Sequence, residues 1–281
     1  MRDCFAVVST FLLFITSCQK NDTAFTEDKY REERSWFEYL CSEELGGRYS
    51  GSEGIRVAAE YICDAIGEID EPDSLYIDTF PTSKCLMRNI IFHLDGEKDS
   101  TIVLGAHYDA YGYYTKTPLP GADDNLSGVV ILLIVIKALQ KSRIHPRYGI
   151  DICFFDGEEI GRYGSTRYVT ESKNGIKHYI NVDTVGNPEV ELAFFYSSGC
   201  SYFADEFREL IEKINMSAGD YSPVNYITDC ESFKYKNIPF VCMVCKNIPP
   251  YLHKSADNIS NISFERLDVI AKGIERYLRT L

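Results

Sequence analysis

The stretch Thr101-Ile-Val-Leu-Gly-Ala-His-Tyr-Asp109 decides the fold. Residues 101 to 106 form a continuous apolar run, as expected of a strand covered on both faces, and the run then breaks into histidine, tyrosine and aspartate. The same design recurs along the chain. Gly149 to Phe155 leads into Asp156-Gly157-Glu158-Glu159, Lys177 to Val182 leads into Asp183, and Pro239 to Val244 precedes His253. Between these strands lie helical patterns. Leu126 to Leu139 is apolar nearly all round and reads as a buried central helix, Ser165 to Thr170 begins another, Tyr202 to Ile214 is helical, and Phe264 to Leu281 closes the chain. Upstream, Asp28 to Leu45 and Ile55 to Ile66 read as amphipathic helices. Leu75 to Phe80 and Leu86 to Leu94 read as an antiparallel pair of strands, and Val190 to Tyr196 as a further strand. Strands alternating with helices predict an α/β fold, a three-layer α/β/α sandwich around a central, mostly parallel mixed sheet. Ligands of such sheets bind beyond the carboxyl ends of the strands, where His107, Asp109, Glu158, Glu159 and Asp183 collect.

Composition narrows the function classes. The 281 residues are 45% hydrophobic and 25% charged, which excludes collagen-like, coiled-coil and fully disordered chains. Lys and Arg number 29 against 42 Asp and Glu, and the resulting charge of −13 repels phosphates, so no nucleic-acid partner is expected. The sequence holds no G-x-S-x-G, Walker A or H-E-x-x-H pattern, which leaves a serine hydrolase, a P-loop NTPase or a thermolysin-like protease without support.

The N-terminus reads as an address. Phe5 to Ile15 is apolar but too short to span a bilayer, and it follows Met1-Arg2 as the core of a signal peptide does. Ile15-Thr16-Ser17-Cys18 resembles a bacterial lipobox, which implies removal of residues 1–17 and a lipid on Cys18. A tether over residues 18–28 and a single domain over 29–281 then follow. The chain is expected to be exported and held on a membrane through that lipid, in the periplasm or at the cell surface. A plain secretory signal is the alternative.

Each polar residue at the sheet edge has an ordinary structural explanation when taken alone, as a cap, a turn or a solvated carboxylate. The set has none. Gly121-Ala122-Asp123-Asp124-Asn125-Leu126-Ser127-Gly128 puts two acids and an amide at the start of an apolar helix, more than one cap requires. Histidines and carboxylates without a thiolate suit zinc, and the surplus of carboxylates suits a pair of metals sharing one of them. His107 and Asp109 lie two apart in an extended segment, so the aspartate can orient the imidazole. Glu158 and Glu159 are adjacent and diverge, leaving one for metal and the other as general base.

Together, Gly105-Ala-His-Tyr-Asp109, Gly121 to Gly128, Glu158-Glu159, Asp183 and His253-Lys-Ser-Ala-Asp257 resemble the M28 family of zinc-dependent aminopeptidases. Gly47-Arg-Tyr-Ser-Gly-Ser-Glu-Gly54 is similar to that family's opening segment. The resemblance implies two Zn²⁺ ions, with His107 and Asp183 on one, Glu159 and His253 on the other, and Asp124 bridging. It implies that Asp109 orients His107, that Glu158 is the catalytic base, and that the substrate is a peptide with a free N-terminus. Asp123 stands outside this ligand set, and Asp257 is expected to steady the His253 loop. Glutaminyl cyclases, which close an N-terminal glutamine with one zinc, share the fold family and are the rival reading. Against them, Leu252 rather than tryptophan precedes His253. A non-catalytic lipoprotein of the same fold is a third.

Tyr111 and Tyr113, between two motif segments, are expected to form a wall of the substrate pocket, and Tyr226 to face the oxyanion. Cys242-Met-Val-Cys245 reads as core packing, while an oxidising compartment permits a disulfide at Cys200 or Cys230.

Overall fold

A computed structural model describes residues 29–67, 74–112, 118–142, 145–173, 175–197, 200, 202, 216–220 and 227–281. The chain divides into two compact units, Met1–Arg31 and Glu32–Leu281, and the second carries the sheet. Eight strands form that sheet: β1 (Leu75–Pro81), β2 (Leu86–Leu94), β3 (Lys98–His107), β4 (Tyr148–Phe155), β5 (Gly175–Asp183), β6 (Leu192–Tyr196), β7 (Met216–Asp220) and β8 (Phe240–Cys245). Their order is β1-β2-β4-β3-β5-β8-β6-β7. The middle ladders, β4 with β3, β3 with β5 and β5 with β8, are parallel. The β1–β2, β2–β4 and β8–β6 ladders are antiparallel, and β7 returns to parallel beside β6.

Burial explains why the middle strands are parallel and apolar. Strand β4 is buried at every position but its first, whereas a strand covered on one face would bury alternate residues. Helices supply that cover. They are α1 (Arg31–Leu40), α2 (Glu53–Ile66), α3 (Ser127–Ser142), α4 (Tyr163–Glu171), α5 (Cys230–Tyr235) and α6 (Phe264–Thr280). Helix α3 packs on β3, β4 and β5 and also touches α2 and α6, while α4 packs with α5. Leu267, Ile270, Ile274 and Leu278 recur along α6 and are all buried, at roughly 1.5–3 kcal/mol for each such side chain. Ser263 caps α6 by accepting from the Arg266 amide, and Ser52 caps α2 by accepting from that of Ile55. Among the described residues no helix is long and apolar enough to cross a membrane.

Two details position the functional edge. A Cβ on Gly128 would fall 2.5 Å from the Val182 carbonyl oxygen, so a glycine there lets the start of α3 lie against the end of β5. Arg48 is fully buried and donates to four carbonyl oxygens, those of Leu40 (2.7 Å), Tyr108 (3.0 Å), Pro120 (2.7 Å) and Gly121 (2.9 Å). One side chain thus ties the end of α1 to the loop after β3 and to the turn before α3. Gly54 closes the loop that carries Arg48, since a Cβ there would meet the Gly47 carbonyl oxygen at 1.9 Å.

The expected elements shift in places. The first helix ends at Leu40 rather than Leu45, and α2 begins at Glu53 behind its serine cap. The helix expected over 202–214 lies outside the described residues apart from Tyr202, as do Tyr113, Tyr226 and the whole N-terminal address. Strand β7 and helix α5 were not foreseen, being five and six residues long, too short for a period to register. No disulfide forms at Cys200 or Cys230: both are free thiols, and the Cys230 Sγ lies 3.9 Å from the Val241 carbonyl oxygen. Cys242 and Cys245 are buried within β8, as core packing requires.

Candidate metal centre

Strand β3 ends on His107, β5 ends on Asp183, and the turn after β4 carries Glu158 and Glu159. The parallel ladders place these strand ends side by side. His107 Nε2 lies 3.3 Å from Asp124 Oδ1 and 3.7 Å from Asp183 Oδ1. His253 Nε2 lies 3.0 Å from Asp124 Oδ2 and 3.5 Å from Glu159 Oε2. The two oxygens of Asp124 therefore face two different histidines. Two donor triads result, His107–Asp124–Asp183 and Asp124–Glu159–His253, each with its ligand atoms within 4.8 Å of one another.

Asp124 is held from several sides. It occupies an irregular turn, Ala122–Leu126, whose Asp124–Asn125 peptide bond is cis. The Asp257 carboxylate accepts from the amides of Asp123 (2.8 Å) and Asp124 (3.1 Å), so Asp257 steadies this turn directly rather than the His253 loop alone. Asn125 donates to the Val182 carbonyl (2.8 Å) and accepts from the amides of Gly128 (3.0 Å) and Thr184 (3.2 Å), which locks the turn to the end of β5 beside Asp183. Asp123 is committed elsewhere. It accepts from the Gly186 amide at 2.7 Å and the Tyr251 hydroxyl at 2.6 Å.

Asp109 does more than the sequence foretold. Its Oδ1 stands 3.3 Å from His107 Nδ1 and accepts from the Glu158 amide at 3.1 Å, while its Oδ2 accepts from the Glu159 amide, also at 3.1 Å. One buried carboxylate thus orients a histidine of the first triad and fixes the turn that supplies a glutamate to the second. Ser50 donates to Asp109 at 3.4 Å and to Asp156 at 2.7 Å, extending the network outward.

The electrostatics ask for a cation. Burial pushes the Glu158 and Glu159 carboxyls well above the ordinary range, with neighbouring carboxylates adding to the effect. Burial alone would lower the His107 pKa, but hydrogen bonds with Asp109, Asp124 and Asp183 outweigh it and raise the pKa well above the usual value. His253 is raised too, chiefly by its bond to Asp124. Burial raises Asp124 as well, but the two histidines overcome it and hold its carboxyl low. Glu159 Oε1 is buried with no hydrogen-bond partner among the described residues. An acceptor left open among crowded carboxylates is what a divalent ion satisfies.

A cavity of about 420 Å³ opens onto both triads and Glu158. Ile227, Val244, Ile248 and Leu252 give it an apolar wall, and Arg162 and Thr184 add polar groups. Tyr111 does not line this cavity. Its ring stacks on His253, with centroids 4.4 Å apart and planes at 8°, so it backs a histidine of the second triad. Sequence reasoning missed Asp229, a buried aspartate whose carboxyl burial lifts to about 7. It sits just ahead of a helix too short to recognise, so no pattern flagged it.

A family model described as peptidase family M28 matches residues 89–278. A probable leucine aminopeptidase of Arthroderma otae is 27% identical over 212 residues, which make up 69% of this chain and 56% of that one. Leucine aminopeptidase 1 of Fusarium vanettenii is 24% identical over 282 residues, or 90% of this chain and 71% of the relative. The chain spans just over half the length of the Arthroderma relative. Among solved structures, a Zn-dependent exopeptidase from Parabacteroides distasonis superposes with a TM-score of 0.71 at 21% identity, covering 89% of this chain and 98% of that one. A glutaminyl cyclase from Porphyromonas gingivalis superposes with a TM-score of 0.70 at 22% identity, covering 88% and 98%. These two share the fold.

Proposed function

The chain belongs to peptidase family M28, and we propose that it is a zinc-dependent aminopeptidase, releasing N-terminal residues from peptides with two zinc ions. One observation carries this reading. Asp124 presents one oxygen to each of two donor triads while Glu158, in neither triad, faces the same cavity. The donors are imidazole nitrogens and carboxylate oxygens with no thiolate, which fits zinc. His107 and Asp183 would hold one ion, Glu159 and His253 the other, and Asp124 both.

Bound zinc supplies a Lewis acid for the peptide carbonyl and eases the ionisation of water near neutral pH. The chain provides the rest. Glu158 takes a proton from the attacking water and passes it to the leaving amine. Asp109 keeps the His107 ring and the Glu158 backbone in register. The apolar wall of the cavity favours an uncharged side chain at the N-terminal residue and keeps bulk water from it.

The test offers zinc-loaded protein a leucyl anilide and a glutaminyl peptide side by side, with bound zinc counted. Release of free amino acid with two zinc ions supports the proposal, and cyclisation with one overturns it in favour of a glutaminyl cyclase. Glu158→Gln is expected to lower turnover by roughly 10²–10⁴ while keeping both ions.

Export and anchoring through Cys18 belong to the same proposal, supported by the Ile15-Thr16-Ser17-Cys18 sequence. The mass of the mature N-terminal peptide checks it. A lipid-bearing Cys18 is expected, and a chain still beginning at Met1 in the cell counts against it.

A further inference from the structure

We propose that Arg162 binds a carboxylate of the substrate, so that this site prefers peptides carrying a negative charge near the scissile bond. The inference rests on the aminopeptidase reading and names a substrate class within it. Arg162 lines the cavity that opens on both triads, and among the described residues it is the one Lys or Arg that does. It lies on the turn that carries Glu158, and its amide donates to the Glu158 carbonyl at 3.1 Å.

Its guanidinium has no hydrogen bond or ion pair among the described residues. Arg56, Arg167 and Arg279, by contrast, each hold a carboxylate. A guanidinium that borders the cavity yet pairs with none of the four acidic side chains lining it, Asp124, Glu158, Glu159 and Asp183, is open to a ligand. The backbone adds a second sign. Arg162 sits at φ 58° and ψ 40°, in the left-handed region where glycine is the easier residue, and such conformations gather at functional sites.

The planar guanidinium fork matches a carboxylate in bidentate fashion. An extended dipeptide spans roughly 7 Å at 3.3–3.6 Å per residue, so its C-terminal carboxylate stays within one cavity of this size when its amine is at the triads. An acidic side chain on the second residue would present the same group from a longer peptide. In a chain of net charge −13, a local cation favours an anionic substrate over a neutral one.

Two pairs of uncleavable peptides, with the scissile amide reduced to an amine, test the proposal by calorimetry on the zinc-loaded protein. One pair is a leucyl-glycine isostere as free acid and as C-terminal amide. The other carries Glu or Gln at the second position, both with amidated ends. The wild type is expected to bind the acidic member of at least one pair about tenfold tighter or better. The favoured pair tells C-terminal from side-chain recognition. Arg162→Leu should erase that preference, Arg162→Lys should keep part of it, and Arg162→Gly, which also relieves the backbone, should erase it in a chain that folds readily. Equal binding within both pairs by the wild type, or a preference that survives in the Leu and Gly variants, overturns the proposal. If the zinc-loaded wild type cleaves no peptide, the aminopeptidase reading fails, while the binding ratios still judge Arg162.

Discussion

Replacing Asp109 with asparagine preserves shape and removes charge, which makes it a sharp test of how one side chain serves both triads. The aspartate accepts from the Glu158 and Glu159 amides, one on each oxygen, and faces His107 Nδ1. Asparagine keeps one acceptor. If its oxygen serves Glu158, its NH₂ confronts the Glu159 amide, and a buried donor is left facing another donor. Such a group costs about 1–3 kcal/mol. At about 2–4 °C per kcal/mol for a domain of this size, Asp109→Asn should lower the melting temperature of the zinc-free protein by roughly 2–12 °C. The loss of negative charge beside His107 weakens that ligand as well. Disturbed partners of metal ligands commonly cost 10- to 100-fold in affinity. The distinguishing expectation is that both zinc ions bind more weakly, because Glu159 shifts along with His107. Competition against a coloured chelator would read the two affinities separately. A variant that weakens one ion alone would show that Asp109 merely orients His107, and unchanged affinities for both would show that Asp109 supports neither ligand set.

Tyr111→Ala removes the ring stacked on His253, an interaction worth about 0.5–1.5 kcal/mol. The zinc held by His253 should bind roughly two- to tenfold more weakly in the same competition, with the His107 ion unaffected. Far from the site, His93 meets Asp151 at 2.5 Å and Asp95 at 3.1 Å. The bond to Asp151 outweighs partial burial and raises its pKa from 6.5 to about 9. A histidine raised on folding stabilises most below its unfolded pKa, so this contribution is full below about 6.5 and fades as pH climbs through about 9. Urea midpoints measured from pH 6 to 10 should fall over that window in the wild type and stay flatter in His93→Gln.

Much of this molecule could be read from the chain itself, for reasons that particular residues make plain. Residues 102–106 of β3 and 128–136 of α3 announce themselves because nearly all of them are buried, so no polar side chain interrupts either run. Most of the donors stand out because they end or follow a strand, and the parallel ladders bring those ends together, while Asp124 stands out at the start of an apolar helix. What escaped depends on contacts between distant segments. Arg48 reads as a surface residue in one dimension, since buried arginines are rare, and only the folded chain shows the carbonyl oxygens that receive it. The stacking of Tyr111 on His253 is likewise a contact between segments far apart in the sequence. The double duty of Asp109 is equally invisible, because the Glu158 and Glu159 amides lie on a different strand's turn.

The two triads are not equally sheltered. The side chain of His107 is 2% exposed, whereas that of His253 is 45% exposed on a loop whose backbone takes a left-handed turn at that residue. Both positions border the same cavity, but an ion at His107 and Asp183 would sit among buried donors, while one at His253 would need only a single solvent-facing ligand to swing aside. If two ions bind, the inner one would exchange more slowly than the outer. In a medium poor in zinc, the chain would pass through a long-lived form carrying a single ion at the inner position, and the outer position would set how quickly it returns to the fully loaded state.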